Sequence, residues 1–304
     1  MHYVGMMEPM IPKERRLPVS TSSSSRTQLL NLATISRHPL TGPAVVDPTP
    51  AISPAKAGWV PMELGRYRMT IAQTLAEREA ACRLRFKVFN IELGEGLESS
   101  YRSGLDTDHF DLFCDHLIVE DRNTRTTVGT YRMQTGLTAE QNLGYYSAQE
   151  FDFTPYEPLR PLVLELGRAS IDREHRSSEV LTLLWRGIAQ YTRLHGLRYL
   201  IGCSSLTSQD PRVGWQMYRQ LSEYQVPEEL RTSPMPNYIL PSASEMPGVM
   251  AKVPKLLRTY IGIGAKICGA PALDREFGTI DFLTLLDMRE LTPAARVRFL
   301  TEAE

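Results

Sequence analysis

Short stretches in which apolar and polar residues alternate mark strands along this chain, and longer stretches at helical spacing mark the helices between them. Tyr67, Met69 and Ile71 alternate with Arg68 and Thr70, which predicts a strand over 66–71. Leu75, Cys82, Phe86 and Phe89 share one face of a helix predicted over 75–89. Residues 90–112 carry glycines and acids without a period and read as a long loop, of a length at which loops are often functional. A hairpin follows, 116–120 and 126–134 about the polar turn 121–125. After a variable connection through Tyr145 and Asp152, the run LVLELGRASI predicts a strand over 162–171.

The next helix, over 177–195, carries Leu181, Leu184, Trp185, Ile188 and Tyr191 on one stripe and stops at Gly196. Beyond it come a strand over 199–203, a short helix over 214–224 and a basic amphipathic segment over 253–267. A turn through Pro271 and Asp274 leads to a last strand over 279–287. This order implies an α+β fold, a mixed and mostly antiparallel central sheet flanked by helices. Residues 1–62 are rich in Ser, Thr and Pro and bury too little apolar surface to offset their ordering entropy, so a disordered tail is expected there. The folded domain is expected over 63–290, with 291–304 as a C-terminal tail.

Composition narrows the function by exclusion. A net charge of −1 argues against bulk electrostatic binding to nucleic acid. Cys82, Cys114, Cys203 and Cys268 are widely spread and form no CxxC, which fits thiols in a reducing cytoplasm better than a disulfide framework. No window reaches the ~18 apolar residues of a membrane span, and the N-terminus lacks the order of a secretory signal. A cytoplasmic location is expected, with room for a peripheral contact at the inner face of the membrane.

The candidate chemistry centres on Glu165 and Arg168. An ionised carboxylate in so apolar a strand is costly unless it is paired or put to use. Three residues apart, the two face opposite sides of a regular strand, and only a bulge brings them together. Glu165 is either a general base with a pKa raised by burial, or the neutraliser of Arg168 or Arg132. Backbone N–H groups beside a bulge at 168–170 would suit an oxyanion.

Asp106, Asp108, Asp111 and Asp115 place four acids in ten residues, which repel one another unless cations lie nearby. Arg85, Arg132 and Arg168 are the candidate partners around a cleft; a solvated acidic loop is the alternative. His109 and His116 stand among these acids, but nothing sets three or four ligands at zinc spacing, and no metal site is expected. Arg173, Arg176, Ser177 and Ser178 open a helix, where amides and arginines suit a phosphate, unless this is only a basic surface turn. Ser204 and Ser205 either line a pocket or start the next turn. Cys203 has no His/Asp set beside it, so no covalent nucleophile is expected. Lys252, Lys255, Arg258 and Lys266 interleave with apolar residues, as on a surface helix or on an anionic membrane.

Four motifs recur together here: R-x-x-x-F at Arg85 and Phe89, D-x-D-x-x-D at Asp106, Asp108 and Asp111, G-T-x-R ending at Arg132, and E-x-x-R at Glu165 and Arg168. The set resembles the fingerprint of acyl-homoserine-lactone synthases and long-chain N-acyl amino acid synthases, enzymes of the GNAT acyltransferase fold. The C-terminal text LLRTYIGIGAKICGAPALDREFGTIDFLTLLD is similar to bacterial L-ornithine N-alpha-acyltransferases, and the resemblance spans roughly 65–290. It implies transfer of a long, 3-hydroxylated acyl group from acyl carrier protein to an amino acid, ornithine first, giving lyso-ornithine lipid. It also implies catalysis by Glu165, Arg168 and Arg132, an amino-acid site at Arg85, Phe89, Asp106, Asp108, Asp111 and Ser204, and no permanently bound cofactor. Arg173 matches the first position of the GNAT phosphate loop, but Arg176 and Ser178 stand where that loop has glycines. That departure suits the phosphopantetheine arm of a carrier protein, held by Arg173, Arg176, Ser177 and Ser178, better than coenzyme A. A synthase of a diffusible N-acyl signal and a non-catalytic acyl-binding module are the competing readings.

Overall fold

The computed structural model describes residues 58–243 and 251–300. The tail expected over 1–62 lies outside the described residues except for 58–62, where Trp59 and Met62 pack against the core. Among the described residues one sheet contains β1 (Met62–Leu64), β2 (Tyr67–Ile71), β3 (Asp115–Asp121), β4 (Thr126–Thr135), β5 (Val163–Ile171), β6 (Tyr199–Leu206), β7 (Lys266–Ile267), β8 (Ala272–Asp274) and β9 (Thr279–Asp287). Its order is β1-β2-β3-β4-β5-β6-β9-β7, with β8 also on β9. Every pairing is antiparallel except β5 with β6, which are joined by a helical crossover as parallel neighbours require.

The helices are α1 (Leu75–Phe86), α2 (Gly136–Gln141), α3 (Ser178–His195), α4 (Pro211–Gln220), α5 (Lys255–Ile263) and α6 (Pro293–Leu300). The crossover is α3, which starts where Ser177 accepts the Val180 N–H and stops at left-handed Gly196. Its buried Val180, Leu183, Leu184, Trp185, Ile188 and Tyr191 meet Met69, Leu117, Val119, Tyr131, Met133 and Leu164 on one face of the sheet. On the opposite face α1 lies against β4 and β5. A capping box between Thr74 and Glu77 starts α1, and its chain winds on in wider turns through Lys87–Leu93. The expected apolar stripe of this helix is shifted: Leu75 is 71% exposed, while Ala81, Cys82, Leu84 and Arg85 are buried. The reason is charge, because the buried side turns an arginine toward acids in the following loop.

Residues 291–304, expected as a tail, contain α6. Ala295 and Phe299 are buried, and the Phe299 ring stacks on Trp185 at 5.5 Å. The stack covers an indole that α3 alone leaves open. The segment expected over 253–267 divides into α5 and β7, with Leu257 and Ile263 buried and Lys255 and Arg258 exposed.

Two irregularities of the sheet position everything that follows. Thr130 pairs with Ser170 and Arg132 with Gly167, so Tyr131 faces two residues of β5, Arg168 and Ala169. Arg168 takes up the extra residue in a left-handed backbone, φ 51°. The second irregularity is a fork. Val163, Leu164 and Glu165 pair with Tyr199, Leu200 and Ile201, after which β5 and β6 part. Gly202 stands at the fork, where an added Cβ would come within 2.1 Å of the Leu166 carbonyl oxygen. Gly202→Ala should therefore push β6 off β5 and cost about 1–3 kcal/mol in urea unfolding; an unchanged midpoint would show that the fork has slack.

Candidate active site

The fork opens into a cavity of about 490 Å³ that reaches both faces of the sheet. Strand alternation assigns its walls. On the α3 face it is lined by Tyr131, Leu166, Trp185, Leu200, Leu257 and Leu286. On the α1 face it is lined by Arg132, Gln134, Glu165, Arg168, Cys203 and Asp281. The extra residue in β5 is what puts Arg168 on the face of Glu165, as the spacing of three required. Ala169 and Ile171 then turn back to the α3 side, where both pack in the core. The α5 helix closes the apolar half, with Tyr260 hydrogen-bonded to the Tyr131 hydroxyl.

Behind the polar wall lies a buried network of three arginines and three aspartates. Arg85 donates through Nε to Asp106 at 2.8 Å and through Nη1 and Nη2 to Asp111 at 2.7 and 3.0 Å. Arg132 Nη1 reaches Asp108 at 2.7 Å and Asp111 at 3.2 Å. Arg168 Nη2 reaches Asp108 at 3.1 Å, and its Nε lies 3.6 Å from Asp106. Burial opposes ionisation of Asp108 and Asp111, but the arginines prevail and hold both carboxyls below their ordinary range. His116 stands 3.6 Å from Asp111, and burial lowers its pKa to about 3, so the ring is neutral.

This network joins α1, the loop before β3, and strands β4 and β5, but only part of it reaches the cavity. Arg132, Arg168, Phe89 and Ser204 line the cavity, as expected of site residues. Arg85, Asp106, Asp108 and Asp111 do not; they are committed to one another and hold Arg132 and Arg168 in place from behind. The helix-opening turn is also divided. Arg176 lines the cavity and bonds Glu92 at 2.5 Å, whereas Arg173 and Ser178 are exposed and Ser177 caps α3.

Glu165 is 5% exposed, and its two oxygens accept the N–H groups of Tyr146 and Ser147 at 2.9 and 2.8 Å. Burial raises its pKa, and those two hydrogen bonds and Arg132 restrain the rise. Each oxygen keeps a lone pair for a proton from a bound amine. The carboxylate thus orders the turn beside it and faces the cavity as well.

Sequence reasoning missed a second acidic centre. Glu150, Asp274 and Asp281 also line the cavity, and the ligating atoms of Glu150, Asp281 and Cys203 lie within 4.8 Å of one another. Burial, then the neighbouring Asp281 and Asp274, push Glu150 well above its usual pKa. Burial likewise raises Asp281 to about 6. The half-buried Cys203 thiol, beside Glu150, is pushed well up by loss of solvation and is a poor nucleophile. Asp281 carried the signal that singled out Glu165, a lone acid in an apolar strand. Glu150 gave none, because it lies in an irregular connection.

Residues 84–186 match the model of the acetyltransferase (GNAT) domain family. The L-ornithine N(alpha)-acyltransferase of Brucella abortus (strain 2308) is 29% identical over 255 residues, covering 75% of this chain and 87% of that protein. The enzyme of the same name from Rhizobium meliloti (strain 1021) is 30% identical over 240 residues, covering 73% and 80%. The chain belongs to the L-ornithine N(alpha)-acyltransferase family. Among solved structures, that of FeeM, an N-acyl amino acid synthase from uncultured soil microbes, aligns over 77% of this acyltransferase and 95% of its own chain, at 12% identity and a TM-score of 0.46.

Two stability measurements test this account of the acyltransferase. Arg85→Met leaves Asp106 and Asp111 buried beside too little positive charge and should cost about 3–5 kcal/mol in urea unfolding; a loss below about 1 kcal/mol would show the network to be dispensable. Asp281 behaves oppositely. Its folded pKa of about 6 exceeds the unfolded value, so folding takes up a proton between them and stability falls as pH rises through that window. Asp281→Asn should therefore melt higher than the parent at pH 7.5, with the difference vanishing near pH 4; a variant that melts lower at pH 7.5 contradicts this.

Proposed function

We propose that this acyltransferase moves a long, 3-hydroxylated fatty acyl group from the phosphopantetheine thioester of acyl carrier protein to the α-amine of L-ornithine, giving lyso-ornithine lipid. One observation carries the reading: a single cavity crosses the sheet, apolar on one face and charged on the other. Such a cavity suits an acyl chain on one side and a charged amino acid on the other, meeting at the fork. The relatives' name supports ornithine as the acceptor. At the mouth, Arg176 is paired with Glu92 and Lys87 with Asp172, which leaves a turn better suited to one phosphate than to a diphosphate. Lys255 and Leu256 line the cavity near exposed Lys252 and Arg258, a surface suited to an anionic membrane that would receive the product.

The chemistry follows from proton positions. An α-ammonium is mostly protonated at pH 7 and must lose one proton to become nucleophilic. Glu165 accepts that proton, and the nitrogen bonds to the thioester carbonyl carbon. Main-chain N–H groups beside the bulge at 168–170 hold the resulting oxyanion. The adduct expels the thiolate as its C–S bond breaks, and the thiolate takes the second proton from nitrogen. Arg132 and Arg168 orient the acceptor, and the scheme needs no permanently bound cofactor.

The purified chain should acylate ornithine with 3-hydroxyacyl carrier protein far faster than with the coenzyme A thioester, as read by mass spectrometry. Acylated glycine without acylated ornithine would overturn the acceptor. Glu165→Gln should lower kcat by about 10²-fold or more and remove the acidic limb of the kcat/KM pH profile. Its amide would also face one of two N–H donors, so the melting temperature should fall. A lower melting temperature with an unchanged profile would make Glu165 structural.

A further inference from the structure

Nothing in the transfer step above uses Glu150, Asp274 or Asp281, although all three are buried and line the reaction cavity. Among the described residues the ion pairs of Arg168 run to Asp106 and Asp108, and neither Glu150, Asp274 nor Asp281 forms an ion pair. Carboxylates removed from water without a cation are costly to keep. Two further polar atoms on this wall are unsatisfied. Thr279 Oγ1 and Asp281 Oδ1 are buried beside each other and beside Glu150, and neither atom has a hydrogen bond of good geometry among the described residues. A buried hydroxyl without a well-formed hydrogen bond, beside three acids that form no ion pair, points to a donor that carries positive charge.

We infer that Glu150, Asp274 and Asp281 cradle the side-chain ammonium of a diamino acid, and so determine both which acceptor binds and which of its nitrogens is acylated. This rests on the acyl-transfer reading above. The spacing comes from one turn of backbone. Tyr146 and Ser147 give their N–H groups to Glu165 at its start, and Glu150 closes it with an N–H bonded to the Ser147 carbonyl. Asp281 faces this turn from β9, directly across from Ser205 of β6. Asp274 is fixed by accepting the N–H groups of Glu276 and Phe277. A single carboxylate and a cluster of three are thus set one short turn apart on the same wall.

The division of labour follows from charge. An amine surrounded by three carboxylates keeps its proton, and an ammonium has no lone pair with which to attack. An amine beside Glu165 alone gives its proton to that group and becomes the nucleophile. The cradle therefore selects a basic side chain over a neutral one, and it protects the terminal nitrogen while the α-nitrogen reacts.

Acyl transfer from acyl carrier protein thioester to ornithine and to norvaline, the same carbon chain without the terminal amine, tests this. The parent should prefer ornithine strongly in kcat/KM. Glu150→Gln and Asp281→Asn should each lower the ornithine value by about 30-fold or more and leave norvaline nearly unchanged. Product from ornithine should then include the terminal amide, read by fragmentation mass spectrometry. Both variants should melt no lower than the parent at pH 7.5, and either one alone suffices. Equal use of ornithine and norvaline by the parent would overturn the cradle and leave acyl transfer standing, whereas transfer to neither amine would overturn both. Stoichiometric zinc in the purified protein, released by Glu150→Gln, would make the cluster a metal site and end the proposal.

Discussion

A single extra residue in β5 sets the polar side of this acyltransferase. Without it, Glu165 and Arg168 would point to opposite faces, and Arg132 would stand on the carboxylate's face without Arg168 beside it. The left-handed backbone at Arg168 costs about 1–3 kcal/mol for a non-glycine residue. The surroundings hold it there: its side chain bonds Asp108, approaches Asp106 and lies over the rings of Tyr146 and Phe277. The strain is local, and the arrangement that over-determines it spans α1, the loop before β3, and β4.

Charge balance explains why the two groups of acids behave differently. Arg85, Arg132 and Arg168 stand three against three with Asp106, Asp108 and Asp111, and the arginines hold Asp108 and Asp111 ionised. Glu165, Glu150 and Asp281 lie beyond that block, and burial raises all three. A compensated scaffold therefore stands next to a pole in which burial outweighs the nearby positive charge. The first supports the sheet, and the second confronts whatever enters the cavity. On the far side Trp185, Leu200 and Leu286 keep water away from the fork, which strengthens every electrostatic interaction at it.

Much of the sheet was legible in the chain because each strand there obeys one period. β9 falls where it was expected, and β5 and α3 begin within a residue of expectation. The bulge was legible as a condition, since two charged residues three apart had reason to share a face. Other features had no local signal. The helix α6 is too short for its pattern to stand out, and its Phe299 is explained only by an indole far away in sequence. Counting acids and arginines suggested a shared site but not who neutralises whom, so Arg85 and its aspartates were expected in contact with substrate rather than behind it. Glu150 depends on a turn that no propensity announces.

The fork has a mechanical side. Only three residue pairs join β5 to β6, and they are the seam between the leaf formed by β1 to β5 and the leaf formed by β6 to β9. The two leaves behave as covers on a narrow spine, with α3 as the strap across it. Bulk added near Val163 or Ile201 acts on a short lever whose far end is the mouth, so a change of one methyl at the spine alters the gape felt by a chain of many carbons.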